Sequence, residues 1–437
     1  MSFTRTLASA LVACALAAAP ASALAVTFTV NTTNYTAPAT PSNTGGIKAA
    51  VQYANTHAGT TIAFNIPTSD PGYVAAGGYF RIAPPSSEFN VPLAISQSGT
   101  VLDGSTQTAI ANSNPNGPEI YLDGTAVIHP NDPMGNYGSD GVVLQAVNNV
   151  VVRGLAIGNY NNGILVTGGG YNTIDGNNIG VNATSNGVVG NLHAGVYLYN
   201  TVDNLVGAYN TTQPNLIGGN QHGVQIYNGS YFNIVQVNAI GTNLAGTLDL
   251  GNLGNGVRID SAAHDNNVGG NTIAFNHATG VLIYLNAGTV NGVRNNAIYN
   301  NRCMAVRIQP TVTPCANLGN DYQDYDTGPN SRQNRPTITS AVYSGGTLTI
   351  NATLNSLPNS SFIVDFFATP NLNPEGHAEG RTPLGYIPVT TDSMGNATFS
   401  YQVSYNASTQ YITASASHWV GAGQYETSEY ADGYHLP

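Results

Sequence analysis

The segment Gly195–Tyr199 reads GVYLY, and its pattern, Gly-apolar-x-apolar-x, returns along the chain. It appears as GVVLQ from Gly141, GILVT from Gly163, GVQIY from Gly223, GVRID from Gly256, GVLIY from Gly280 and, headed by alanine, AVRIQ from Ala305. Successive spacings are 22, 32, 28, 33, 24 and 25 residues. Alternation at period 2 places one apolar column inside and the x column outside. A unit this short buries nothing alone, and a period of about 20–50 residues marks a solenoid of stacked coils. The expected fold is therefore all-β, a parallel β-helix over residues 90–320. A longer repeat overlies the short one: IGVNATSNGVVGNLHAGV (Ile179–Val196) aligns without a gap with IGTNLAGTLDLGNLGNGV (Ile240–Val257). Asparagines near the corners are expected to stack from coil to coil and to bond backbone groups.

Residues 26–89 read as an N-terminal cap with the first coils. Within them GGIKAAVQYANTH has Ile47, Ala50, Val51 and Ala54 at helical spacing. A helix there would cover the open end of the solenoid against strand addition. Residues 321–336 break the repeat and read as a hinge, solvated and joining two modules. Residues 337–437 alternate in short strands (TLTINATL, FIVDFFA, NATFSYQV, YITASAS) between turn signals, which suggests a small antiparallel, immunoglobulin-like β-sandwich. In that module Glu375, His377 and Glu379 are expected in a solvated loop.

Composition narrows the function. Only 8% of the 437 residues are charged, with 11 Lys plus Arg against 22 Asp plus Glu and a formal charge of −11. Nucleic-acid binding through phosphates needs a basic stripe, which is missing. Disorder conflicts with 42% hydrophobic residues and 25 tyrosines. Residues 1–25 read as a signal peptide, with Arg5, an apolar stretch and the A-x-A site ASALA. LVAC, ending at Cys14, is the alternative lipoprotein signal. No later segment has the ~18 uninterrupted apolar residues of a membrane-spanning helix. A secreted or periplasmic location, free outside the cell or associated with its surface, is expected, with the protein a monomer. In such a compartment Cys303 and Cys315 are expected to pair.

The corners and spacings resemble the right-handed parallel β-helix superfamily that includes pectate lyases and polygalacturonases. The pattern I-G-x-N…G…GN…GV, the stretch DYDTGPNSRQN and the stretch GRTPLGYIPVTTDSMGNATF are similar to a broad group of secreted bacterial β-helix proteins. The resemblance covers most of the mature chain. It implies a right-handed helix, a C-terminal sandwich and association with the cell surface or with extracellular polysaccharide. The polygalacturonase set of paired aspartates with Gly-His-Gly and Arg-Ile-Lys companions is missing, as is a pectate-lyase calcium cluster.

The chemistry must therefore come from the columns. Between residues 151 and 320 the only acids are Asp175, Asp203, Asp249, Asp260 and Asp265. Stacking the repeats in register gives one outward column, Val143, Leu165, Tyr197, Gln225, Arg258, Leu282, Arg307. A second runs Gln145, Thr167, Tyr199, Tyr227, Asp260, Tyr284, Gln309. His193 and His222 precede these strands, and His264 and Asp265 follow the Arg258 strand. Rings beside Arg, Asp and His suit a sugar chain. The expected catalytic set is Asp260 as general acid or base, Arg258 holding an acidic group, and Tyr199, Tyr227, His193 or His222 as proton-transfer partner. Tyr197, Gln225, Tyr284, His264, Asp265 and Arg307 are expected to bind substrate. The plain alternative is that tyrosines stack as solenoid surface and Arg258 merely pairs with Asp260. Asp321, Asp324 and Asp326 form a candidate Ca²⁺ site, with a solvated turn as the alternative. The leading function is a polysaccharide lyase or glycoside hydrolase. The second is a non-catalytic adhesion protein that uses the helix as a rigid spacer and glycan-binding surface.

Overall fold

A computed structural model describes residues 26–107, 114–128, 138–209, 213–308, 315–405 and 411–436. The signal-peptide, Cys14 and Gln309 readings lie outside the described residues. Three long sheets of ten, nine and eight strands, parallel except where Tyr73–Val74 pairs antiparallel with Tyr79–Ile82, carry the chain from Thr27 to Ile308. One coil shows the rotation. Val257–Ile259 lies in the eight-stranded sheet, Asn267–Gly269 in the ten-stranded, Thr272–Ala274 in the nine-stranded, and Val281–Ile283 returns to the first. The architecture is a right-handed parallel β-helix followed by antiparallel sheets.

Register follows the apolar column. Val196, Val224, Val257 and Val281 are mutual neighbours, as are Leu198, Ile226, Ile259 and Ile283. All eight side chains are fully buried. Each contributes about 1.5–3 kcal/mol of transfer free energy, an upper figure because unfolded chains are already partly collapsed. Helix Ile47–Ala54 buries the predicted residues Ile47, Ala50, Val51 and Ala54. It packs on Thr27–Val30, Thr61–Phe64 and Leu93–Ile95.

Three corners of the coil are held by buried asparagines. In one ladder the Asn172 side-chain amide donates to Asn204 Oδ1, and the relay continues through Asn233 and Asn266 to Asn291. A second runs Asn177, Asn215, Asn238, Asn271, Asn296. The third runs Asn191, Asn220, Asn252, Asn276, Asn301. Most accepting oxygens also take a backbone N–H of the coil before, as Asn233 Oδ1 does from Asn204. Asparagine suits this because one planar amide both accepts and donates, so buried corner groups are satisfied.

The C-terminal module has one sheet of Thr337–Ser344, Thr347–Asn355 and Asn396–Ser404. The other holds Thr382–Thr390, Ser361–Thr369, Tyr411–Gly421 and Gln424–Thr427, with Tyr434–His435 at its side. It is joined to the solenoid through buried groups, which corrects two expectations. Residues 321–336 are not a solvated hinge: Asn330 is fully buried and accepts from the Asn291 backbone N–H at 2.7 Å. Glu379 is not solvated either. It is buried at the end of the third ladder, where Oε1 accepts from the Asn301 side chain at 3.0 Å and Oε2 from its backbone at 3.2 Å. His377 bonds the Cys315 carbonyl. Further backbone donors of the last coil find partners in the module: Val290 on Glu426, Val293 on Thr427 and Ile308 on Glu429. Arg294 pairs with Asp365 through two bonds of 2.7 and 2.9 Å. Phe367 and Tyr430 stack at 4.7 Å and join the solenoid core. Cys303 and Cys315 form a disulfide.

Candidate functional site

The outer face of the eight-stranded sheet carries the predicted columns in register. Tyr197 neighbours Gln225, Gln225 neighbours Arg258, Arg258 neighbours Leu282, and Leu282 neighbours Arg307. Tyr199 neighbours Tyr227. Their rings stack at 6.0 Å and 22°, and Tyr197 lies 5.9 Å from each of them. Asp260 continues the second column just past its strand, its backbone N–H donating to Ile226. Two hairpin-like excursions precede the strands, bridged at Val181–Val188 and Thr242–Asp249. They are the two copies of the long repeat.

Arg258 is the cation of this cluster, and it is held from two sides. Its Nε and Nη2 donate to Asp260 Oδ2 at 2.9 and 2.5 Å, and its guanidinium lies 4.5 Å from the centre of the Tyr284 ring. Asp260 is almost fully buried, and its other oxygen accepts from the Ser261 backbone N–H at 2.7 Å. A carboxylate so engaged orients the arginine. Beside it Gln225 is buried, and its Oε1 has no hydrogen-bond partner among the described residues.

The two histidines differ in tautomer. His222 Nδ1 faces the Asn255 backbone N–H at 3.2 Å and its Nε2 faces Arg258 Nη1 at 3.5 Å, so donors stand at both ring nitrogens and the shorter contact takes the lone pair on Nδ1. Burial, then the Arg258 charge, pushes His222 down to about 4. It is neutral, and its Nε2 edge is turned to Arg258. His193 Nδ1 faces Asn162 Oδ1 at 2.8 Å. That oxygen also accepts from the Ala194 N–H, while the Asn162 amide donates to Asp140 at 2.8 Å. The orientation of Asn162 is thus set by Asp140, the His193 proton is on Nδ1, and Nε2 keeps its lone pair. Burial pushes the His193 imidazole below its ordinary value, with Arg258 adding and Asp140 opposing. Its ring meets Tyr197 edge-on at 4.9 Å. Burial and the neighbouring phenols push the Tyr197 hydroxyl upward, so it stays protonated.

Asp140, Asn162, Asn255 and Ser261 were not foreseen; all lie in corners outside the Gly-apolar pattern. Other predicted residues lie apart from this cluster. Arg307 is two coils on, buried near Glu429 of the C-terminal module. His264 and Asp265 lie round the corner. Their side chains meet at 2.5 Å, and His264 stacks on Tyr231 at 5.3 Å. Asp321, Asp324 and Asp326 converge, with one oxygen from each within 4.8 Å of the others. Both Asp324 oxygens already accept, from Asn334 and Ser356, and Arg332 reaches Asp326 at 3.3 Å. Burial, with the adjacent acids adding, pushes Asp324 up to about 6. Well-formed concavities occur beside Arg294, beside Phe232 and beside Met304, and none of these touches the Arg258 face. No helix among the described residues is long and apolar enough to cross a membrane.

No protein-family model and no curated protein matches the chain. Among solved structures it is similar to the enzymatically active domain of tailspike protein 2 from bacteriophage CBA120. There the identity is 11%, the TM-score 0.34, and the match covers 88% of this chain and 73% of that one. The periplasmic alginate epimerase AlgG matches at 14% identity and TM-score 0.30, covering 60% and 57%. The A-module of the mannuronan C-5 epimerase AlgE4 from Azotobacter vinelandii matches at 15% and 0.30, covering 64% and 81%. All three are right-handed parallel β-helix proteins. At scores this low, the architecture stands on its own strand pairing.

Proposed function

We propose that this is an extracellular protein acting on an acidic polysaccharide by β-elimination on the outer face of the eight-stranded sheet. The observation that carries this reading is Arg258, an arginine fixed by Asp260 and Tyr284, on one face with three tyrosines and with the His193 imidazole, whose Nε2 keeps its lone pair. Arg258 neutralises the uronate carboxylate, which makes the adjacent C5 proton more acidic. His193 Nε2 takes that proton, the C4–O4 bond breaks, a C4–C5 double bond forms, and the leaving O4 is protonated by a tyrosine hydroxyl. Tyr199 and Tyr227 supply a stacking platform. Asp260 is a positioning residue, and His222 turns its Nε2 edge to Arg258. Hydrolysis usually needs two facing carboxylates, and this cluster offers one, already paired. The disulfide and the signal-like N-terminus support an extracellular setting.

The test is a screen of purified protein on polyuronates and neutral polysaccharides, with ultraviolet absorbance reporting unsaturated ends and a reducing-end assay reporting hydrolysis. Unsaturated product lost in Arg258→Ala supports the reading; full activity in both Arg258→Ala and Asp260→Ala sinks it. A second reading, glycan binding without cleavage, is favoured by the distance of the named concavities from this face. Binding of a polyuronate with no product of either kind would establish it.

A further inference from the structure

We propose a second carbohydrate site, for a neutral hydroxyl-rich chain, in the cleft between one corner of the solenoid and a hairpin of the C-terminal module. The cleft measures about 760 Å³, within the range of ligand sites. Its floor is Asp203, Phe232, Ile234, Asp265 and Asn267, and its roof is the hairpin of residues 420–424. Asp203, Phe232 and Asp265 occupy equivalent places in three successive coils, because Val202, Tyr231 and His264 just before them are bridged in parallel. One aromatic ring is therefore flanked by a carboxylate on either side.

The Phe232 ring meets Tyr231 edge-on at 5.1 Å and otherwise faces the cleft. The corner demands a left-handed backbone, with φ of 54°, 55° and 53° at the three positions. Bulky residues adopt it at a cost, and Asn or Gly is favoured. Phe232 nonetheless occupies it with 41% of its surface exposed. A ring held at a strained, solvent-facing position fits a function in stacking on the apolar face of a pyranose. The carboxylates suit hydroxyl donors. Asp265 already accepts from His264, so it is an oriented acceptor. No lysine or arginine lines the cleft, so a uronate would meet only negative charge. The ligand class is thus opposite to that of the Arg258 face, and the site stands or falls separately.

Isothermal titration calorimetry on the full chain tests it, using cello-, xylo- and mannohexaose, hexagalacturonate and chitosan hexamer as probes. At least one neutral hexaose is expected to bind. Phe232→Ala should weaken it by at least about tenfold, Asp265→Asn by less, and Arg258→Ala should leave it unchanged. Phe232 is exposed, so its truncation is expected to leave the melting temperature close to wild type, which circular dichroism checks. Asp203→Asn provides an independent variant. Absence of neutral-sugar binding, unaltered binding in Phe232→Ala, or binding of the chitosan amine alone each overturns the proposal.

Discussion

The Arg258 face and the junction with the C-terminal module both concentrate charge in a chain that has little of it. On the face, a carboxylate is buried against a cation: Asp260 receives two bonds from Arg258. At the junction, Glu379 is buried against amide donors alone. Burial pushes Glu379 up to about 8. Glu429 is also raised by burial, although Arg335 and Arg307 oppose the shift. A buried charge persists if a partner offsets its lost hydration; an acid without one tends to go neutral. The face is thus built to present a fixed cation, and Glu379 at the junction is built to accept N–H groups.

The largest expected effect tests the face. His193→Ala should lower kcat/KM on the polyuronate that the wild type cleaves by about 10²–10⁴-fold, and His222→Ala by much less. Equal losses would undo the distinction between their tautomers. Next, Asp260→Ala leaves Arg258 without its counter-charge, and urea unfolding should show a loss of about 3 kcal/mol, the low end because Arg258 is partly exposed. Asp260→Asn should fall between that variant and wild type.

The third prediction concerns the junction. The folded value of Glu379, about 8, lies above the ordinary 4.5. Its contribution is therefore fully present below about 4.5 and is lost as pH rises through about 8. Melting temperature should fall over that window in the wild type, and fall less in Glu379→Gln, which remains an uncharged acceptor. Parallel curves would show that Glu379 is not the titrating group. The smallest effect is expected at Asp321, Asp324 and Asp326. Millimolar Ca²⁺ should raise the melting temperature by less than about 2 °C, since the oxygens of Asp324 are already taken. A larger rise, lost in Asp321→Asn, would make the cluster a metal site.

Much of the solenoid was legible in the sequence because period-2 alternation fixes which face is buried, and a slip of one residue would reverse it. Val224, Ile226, Val257 and Ile259 had to point inward, so Tyr197, Gln225 and Arg258 had to line up outside. What could not be read was where lone polar side chains end. Glu379 meets Asn301 across 78 residues of sequence, and a single acceptor closing a ladder leaves no periodic trace. The same holds for Asp140 and Asn162, which orient His193 from a preceding corner. His264 and Asp265 follow the Arg258 strand closely, yet the turn between sheets carries them to another surface.

The asparagine ladders run one way. Every amide passes its N–H forward, from Asn191 to Asn220, Asn252, Asn276 and Asn301, so each coil asks of its successor what its predecessor asked of it. Only the last coil makes a demand that no coil answers, and Glu379 answers it. A coil added or removed in the middle would leave both terminal requirements unchanged. Molecular length is thereby uncoupled from the chemistry of the ends, and this fold can grow by duplication in whole-coil steps. The matching stretches at Ile179–Val196 and Ile240–Val257, two coils apart, have the form such a step would leave.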